Sequence, residues 1–358
     1  MHAPQDFSLH LRELRDDPQS VARGIAASGE RVVGYVGNDV PVALILAAGA
    51  VPVRLRANPK ATLSRADRFV ENSFSPELRV VAEHWLAGTL DHLHSVVFAR
   101  SDDSGQRLYY YLCELQRRGL CAGPRPLLFD VAGLPRSASV EHTLESTRVL
   151  ASQLGVSADS LARARERVRE REELLRSVRA QRLLPAPLAG SVAWAIEYAS
   201  ACDWRPSFDE AARRWLTSAA PLSAPKRVLL AGDPPADDQL HAAIEASGGS
   251  VVAELTESRF TGERNGSDSF AAIAVEFQDR ESPALSMRRN PHWLSERALA
   301  HRADSLLIWL SEQNEALPWE VARQLESLRA SGIPTLMLSR QPWQIASSVL
   351  TQVTDFCR

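Results

Sequence analysis

The chain has 358 residues, more than one ordinary hydrophobic core organises, so about two domains are expected. An apolar fraction of 45% beside 24% charged residues is that of a folded globular protein and excludes a disordered one. With 41 Lys and Arg against 44 Asp and Glu, the formal net charge is −3, which argues against a protein whose main task is to hold nucleic acid.

The opening MHAPQDFSLHLREL lacks a basic segment followed by an apolar one, so it does not read as a signal peptide. No apolar run approaches the ~20 residues of a bilayer span, and a cytoplasmic protein without membrane contact is expected. Residues 8–29 carry helical spacing (Phe7, Leu11, Leu14, Val21, Ile25) with Asp17-Pro18 as a break, giving an N-terminal helical segment over 1–30. Strands follow at 31–36, 51–55, 95–99 and 126–130, with helices at 41–50, 76–88 and 105–119 between them. Strands separated by helix-length segments mark parallel βαβ units, because a parallel partner requires a crossover. Residues 31–136 are read as a first α/β domain.

From Ser137 the pattern changes. Residues 137–155 and 157–182 read as long helices with no strand between them, and 137–225 is taken as a helical connector. In the second helix Leu161, Ala164, Val168, Leu175 and Val178 share one narrow face. The remainder is Arg and Glu, as in ARARERVREREELLR, and reads as a solvated face with charges paired at helical spacing rather than as a phosphate or nucleic-acid patch. PAPLAG (185–190) and APLSAP (220–225) read as loops.

A second α/β domain is read over 226–358. Its strands are expected at 226–231, 250–254, 305–310 and 334–338, and its helices at 236–247, 292–302, 317–331 and 342–356. Residues 261–282 resist assignment and are expected to form a loop. The two regions echo each other: RVVGYVGNDVPVALILAAGAVPVRL lines up with RVLLAGDPPADDQLHAAIEASGGSVVAEL. Each runs strand, polar Gly/Asp/Pro turn, helix, small-residue step, strand. The fold class expected is α/β, two related parallel-sheet domains with an N-terminal helix and a helical connector.

In open parallel sheets ligands bind beyond the carboxyl ends of the strands, where helix N-termini offer unpaired N–H groups. Two such sheets suggest a cleft between those ends. The motif search there is negative. Gly34-Tyr35-Val36-Gly37 is not GxGxxG, and no GxxxxGK[ST], HExxH or GxSxG occurs. His92 and His94 precede a strand without a third ligand. Four cysteines, Cys113, Cys121, Cys202 and Cys357, are too few and too irregular for a disulfide framework or a CxxC metal site.

Several blocks, in order, resemble one family. GYV, ND, VP and AAGAVPVRL within 34–55 are similar to the opening block of the 2-hydroxyacyl-CoA dehydratase / benzoyl-CoA reductase subunits, D-component-like. HSVVFARSDDSGQRLYYYL resembles that family's strand followed by a Ser-Cys-Asp turn, and PLLFDVAGLPR its next strand and Pro turn. KRVLLAGDPPADDQLHAAIEASGGSVV with ESRFTG resembles the start of its C-terminal domain. DSLLIWLSE and GIPTLMLS resemble its last strand–Cys–helix–strand block.

The resemblance implies an iron–sulfur cluster held by thiolates on strand-end loops, one-electron reduction of a CoA thioester, and an ATP-dependent activase as electron donor. Thiolates are required because these clusters take soft, deprotonated sulfur. The three cysteine positions fall at Gly37, Asp102 and about Ser311, and none is cysteine here. The family's 4Fe–4S cluster is therefore expected to be absent, and no cofactor or metal is expected.

The candidate cleft comprises Gly37, Asn38, Asp39, Ser101, Asp102, Asp103, Ser258, Arg259, Ser311 and Glu312. Convergence of Asp39, Asp102, Asp103 and Glu312 would suit a divalent cation or acid/base work. The favoured reading is that Asp39 caps the helix behind Pro41 while Asp103 and Glu312 cap helices elsewhere. The function expected is a cluster-free subunit or accessory protein that keeps an acyl-CoA cleft, with a CoA thioester as ligand. It would form a homo- or hetero-oligomer with a related subunit and work beside an activase. Two alternatives stay open: an enzyme with non-iron acid/base or divalent-metal chemistry in the same cleft, and a ligand-binding regulatory protein.

Overall fold

The apolar run VVGYV forms strand β1 (Val32–Val36), buried at every residue, and SVVFA does the same as β3 (Ser95–Ala99). Burial on both faces is what helices on either side of a parallel sheet impose. Between and after them lie β2 (Val51–Arg54) and β4 (Arg125–Phe129). The later strands are β5 (Lys226–Gly232), β6 (Gly249–Leu255), the two-residue strands β7 (Arg259–Phe260) and β8 (Arg280–Glu281), β9 (Ser305–Ser311) and β10 (Thr335–Gln341). The computed structural model describes residues 4–100, 103–132, 136–185, 187–220, 222, 226–256, 259–260, 269–278 and 280–358; the side chains of residues 4, 5, 158, 259, 260 and 281 are not described.

The chain divides into two compact units, Met1–Glu173 with Tyr198–Ala212 and Phe260–Arg280, and Leu174–Glu197 with Arg213–Arg259 and Glu281–Arg358. The stretch read as a connector thus contributes to both units, and a segment from the second half belongs to the first.

The first unit holds a sheet of order β2-β1-β3-β4, all parallel, with Val33 opposite Pro52 on one side and Ser95 on the other. The second holds β6-β5-β9-β10, also all parallel, with Leu230 opposite Glu254 and Leu307. Taken in chain order, both sheets read second, first, third, fourth. The α/β expectation of two related parallel sheets is met, and the internal echo in the sequence is an echo of topology.

Several elements differ from expectation. The unassigned stretch contains a helix, Phe270–Gln278, whose Ile273, Ala274 and Phe277 are buried in the first unit. Phe277 meets Phe129 of β4 edge-to-face at 5.1 Å between centroids. Two helices not assigned from sequence, Gly190–Cys202 and Pro206–Ser218, lie between the Pro-rich loops, and Pro283–Arg289 is a further one. The helix expected over 317–331 is two, Leu317–Ala322 and Leu325–Ser331. Its break follows from Gln324, whose buried amide accepts from the Leu294 N–H at 3.1 Å and donates to the carbonyls of Met287 and Asn290, both at 2.9 Å. The last helix starts at Ser347 rather than at 342.

The Arg-rich helix, Ala158–Gln181, is less solvated than expected. Glu166–Arg169 is an ordinary exposed pair three residues apart. Arg165, however, is buried against Glu276, and Arg171 against Asp209 with the carbonyls of Ser200 and Asp203. These guanidiniums satisfy buried carboxylates and carbonyls from other segments, which planar multi-donor arginine does better than lysine. On the apolar face Leu174 is buried where Leu175 was expected.

Candidate functional site

In a sheet of order 2-1-3-4 the chain leaves the first and third strands in opposite directions, opening a crevice at their carboxyl ends. In the first unit that crevice is bounded by the residues after β1 and β3. Gly37-Asn38-Asp39 follows β1, and Asp103 begins the helix Asp103–Arg117 beyond β3. Gly37 has φ +80°, and a Cβ built there meets nothing within 4 Å. Its glycine is needed for the left-handed turn, not for close packing.

Asp39 does not cap the helix behind Pro41. The helix Val42–Ala47 has no side-chain cap, and the Asp39 carboxylate instead pairs with Arg280. Arg280 Nη1 also donates to the Asn38 carbonyl at 2.7 Å. Arg280 is largely buried and stacks over Phe277 at 5.5 Å, and burial draws its guanidinium down to about 10. The helix Phe270–Gln278 delivers it: Ile273 and Phe277 pack into the first unit's core, and Arg280, two residues past the helix end, reaches the β1 turn. Gln278, on the same helix, donates to the Ala132 carbonyl at 2.6 Å and to Thr143 Oγ1 at 2.7 Å, tying down the segment after β4.

Asp103 is not drawn in. Its side chain is 83% exposed, with Arg107 Nη1 at 3.8 Å, so the expected capping role is not seen there either. Ser101, Asp102 and Ser258 lie outside the described residues. Arg259 starts β7, and its side chain is not described.

At the ends of β3 and β4 the same unit holds a cluster that the sequence reading missed. Asp130, directly after β4, accepts from Arg100 Nη1 at 3.0 Å on each oxygen, and His142 Nε2 lies 3.1 Å from Asp130 Oδ2. The Asp130 N–H donates to Ser146 Oγ at 2.7 Å. His142 and Ser146 are one turn apart on the helix Ser137–Leu154, so one helix face supplies both. A carboxylate at ion-pair distance from a half-exposed imidazole is a pairing that acid/base chemistry uses. The available signal was positional: an Asp at the carboxyl end of a parallel strand.

In the second unit the equivalent crevice lies between β5 and β9. Gly232 has φ +109°, and a Cβ there would fall 2.0 Å from the Trp309 carbonyl oxygen. The glycine lets the backbone pass, and the Asp233 N–H donates to that same oxygen at 2.7 Å. The Asp233 carboxylate then accepts from the Ser311 N–H at 2.7 Å and from Asn314 Nδ2 at 2.6 Å. Asn314 Oδ1 in turn accepts from the Leu317 N–H at 3.0 Å. Ser311 is thereby held through its main chain. Glu312 is exposed, accepts from Gln313 Nε2 at 2.8 Å, and does not cap a helix. Asp233 and Asn314 were missed, although the internal repeat sets Asp233 against the Gly-Asn-Asp turn.

Neither crevice presents a thiol at a described strand end. Cys113 sits ten residues into the helix Asp103–Arg117, and burial pushes its thiol up. Cys202 is buried, donates to the Arg54 carbonyl at 3.8 Å, and has its thiol pushed up to about 12 by burial. Cys357 is in the last helix. A protonated, buried thiol is not the thiolate that cluster iron takes, so the described donors do not fit a cysteine-ligated cluster. Among the described residues no group of three or more His, Cys, Asp and Glu side chains is arranged to hold a metal ion, and no helix is long and apolar enough to cross a membrane.

A family model described as "2-hydroxyglutaryl-CoA dehydratase, D-component" matches residues 38–357. No curated protein matches the chain.

Proposed function

Since the chain belongs to the 2-hydroxyglutaryl-CoA dehydratase D-component family, we propose that it acts as a cluster-free subunit or accessory protein of an acyl-CoA dehydratase- or reductase-like complex. It keeps a role in acyl-CoA recognition, while a cysteine-bearing relative carries the iron–sulfur chemistry. The observation that carries this reading is the β1 turn. Gly37 brings no ligand atom, and Arg280 holds Asn38 and Asp39 by hydrogen bond and ion pair. Metal sites commonly supply part of the folding energy of the loops around them. Here a protein cation serves the turn instead.

The test is anaerobic co-purification with the products of neighbouring genes, followed by melting scans with acyl-CoA and with the matching free acid. The reading expects a cysteine-bearing relative to co-elute and acyl-CoA alone to raise the melting temperature. Ligand at about a hundred times its Kd adds about 2.7 kcal/mol, a shift of several degrees for a chain of this size. Absence of both a co-eluting relative and any CoA-dependent shift would overturn it.

A second reading, acid/base catalysis without iron, is favoured by the Asp130–His142 pair at the carboxyl edge of the first sheet. Iron-independent turnover of an acyl-CoA, lost in His142→Gln at unchanged melting temperature, would select it over the first.

A further inference from the structure

In the first unit, the helix Pro76–Leu86 and the turn that follows it carry two imidazoles, His84 and His92, linked through one residue. His84 Nδ1 lies 3.0 Å from Thr89 Oγ1, and His92 Nδ1 lies 3.1 Å from the Thr89 carbonyl oxygen. The sequence sets His92 beside His94, but the fold pairs it with His84 instead.

These bonds fix both tautomers. A carbonyl oxygen only accepts, so Nδ1 of His92 carries the hydrogen. The Thr89 hydroxyl donates to the His84 carbonyl at 3.0 Å, so its oxygen accepts from Nδ1 of His84. In each neutral ring Nε2 is then the nitrogen with a lone pair to give. Burial, the largest cause for both, draws the two rings below the ordinary histidine value and keeps them neutral near pH 7. Neither Nε2 has a hydrogen-bond partner among the described residues, and that of His92 is buried.

The turn ahead of the helix Ser20–Ala27 lies near these rings, since the charges of Asp17 and Arg23 act on both. In that turn Gln19 supplies an independent observation. It is 9% exposed, and its Oε1 is buried with no hydrogen-bond partner. Gln19 stands at the N-cap of Ser20–Ala27, yet its side chain does not cap that helix. A buried acceptor left unpaired costs about 1–3 kcal/mol, a cost that a ligand on the oxygen removes. Asp17 is committed elsewhere: it accepts from both terminal nitrogens of Arg23, from Nη1 at 3.2 Å, and from the Gln19 N–H at 3.3 Å. It offsets the guanidinium beside the rings and is not counted as a ligand.

We propose that His84 Nε2, His92 Nε2 and Gln19 Oε1 bind a borderline divalent metal ion, Ni²⁺ or Cu²⁺, with water completing the coordination. Imidazole nitrogen suits these ions, as do mixed nitrogen and oxygen donors. A metal-bound histidine almost always donates its other ring N–H to an acceptor that fixes the ring, and Thr89 serves both rings in that way. Mg²⁺ takes oxygen donors and keeps its waters, so two imidazoles do not suit it.

The experiment is titration calorimetry on the full chain with Ni²⁺ and, separately, Mg²⁺, in a buffer that does not chelate. Ni²⁺ is expected to bind saturably at one site per chain, and Mg²⁺ not to bind. His84→Gln and His92→Gln should each weaken Ni²⁺ binding about tenfold or more. Thr89→Val keeps all three ligands and removes only the hydroxyl behind His84, and it should weaken binding about tenfold. Thr89 is exposed, so that variant folds even where a histidine variant does not. His94→Gln, at the exposed neighbouring histidine, should bind as the unaltered chain does. Absence of saturable Ni²⁺ binding, an equal response to Mg²⁺, unchanged affinity in a folded histidine variant or in Thr89→Val, or an equal loss in His94→Gln would overturn the proposal. Neither acyl-CoA nor a partner enters this test, so its failure is separate from any failure of the function proposed above.

Discussion

Arg280 pairs with the carboxylate of Asp39, 241 residues earlier in the chain, and donates to the Asn38 carbonyl at 2.7 Å through the same nitrogen. The two side chains are 11% and 20% exposed, so this ion pair is shielded from water far more than a surface pair. Removing one partner leaves a largely buried charge behind. Arg280→Ala should cost about 2–4 kcal/mol in denaturant unfolding, and a double-mutant cycle with Asp39→Asn should show coupling of about 1 kcal/mol or more. Additive effects would mean that the two residues act separately.

The glycines that end β1 and β5 occupy equivalent positions and should respond differently to alanine. At Gly37 the only penalty is the left-handed backbone, since a Cβ meets open space, and Gly37→Ala should cost about 1–2 kcal/mol. At Gly232 the Cβ would collide with the Trp309 carbonyl oxygen at 2.0 Å, and no flexible side chain can yield there. Gly232→Ala should cost more than about 3 kcal/mol or prevent folding of the second unit. Melting curves of the two variants side by side check this.

Acid should loosen the second unit through Glu254. Burial alone would raise its carboxyl, but His241 and Arg182 outweigh that and hold it well below the usual carboxylate range. A lowered folded-state value means full stabilisation above the unfolded value of about 4.3, lost progressively as pH falls toward the folded value. Glu254→Gln should flatten the pH dependence of unfolding below about pH 5. At neutral pH it should cost about 3–5 kcal/mol, because Arg182, 1% exposed, loses its carboxylate at 2.9 Å. Urea titrations across that range give both quantities, and an unchanged slope in the variant would contradict the assignment.

The sheets were legible because their strands are buried runs such as VVGYV and SVVFA, separated by crossover-length segments. The crevices followed from strand order. What escaped was contact between distant segments. Helical periodicity placed Arg165 and Arg171 among charges of their own helix, and nothing local indicated that Glu276 and Asp209 would meet them. Asp39 before Pro41 carries a sound local capping signal, but the tertiary pair with Arg280 overrides it. FAAIAVEFQ is short and apolar almost throughout, so periodicity could not assign it; its packing on the helix Ser137–Leu154 did. Asp130 and Asp233 were within reach of a positional argument, since each directly follows a parallel strand.

The central claim is that this member of the family works without an iron–sulfur cluster of its own. Iron and acid-labile sulfide in the chain, purified anaerobically after expression with iron supplied, test it directly. The account predicts substoichiometric iron and no charge-transfer absorption in the visible. About four irons and four sulfides per chain, the content of one 4Fe–4S cluster, would contradict it.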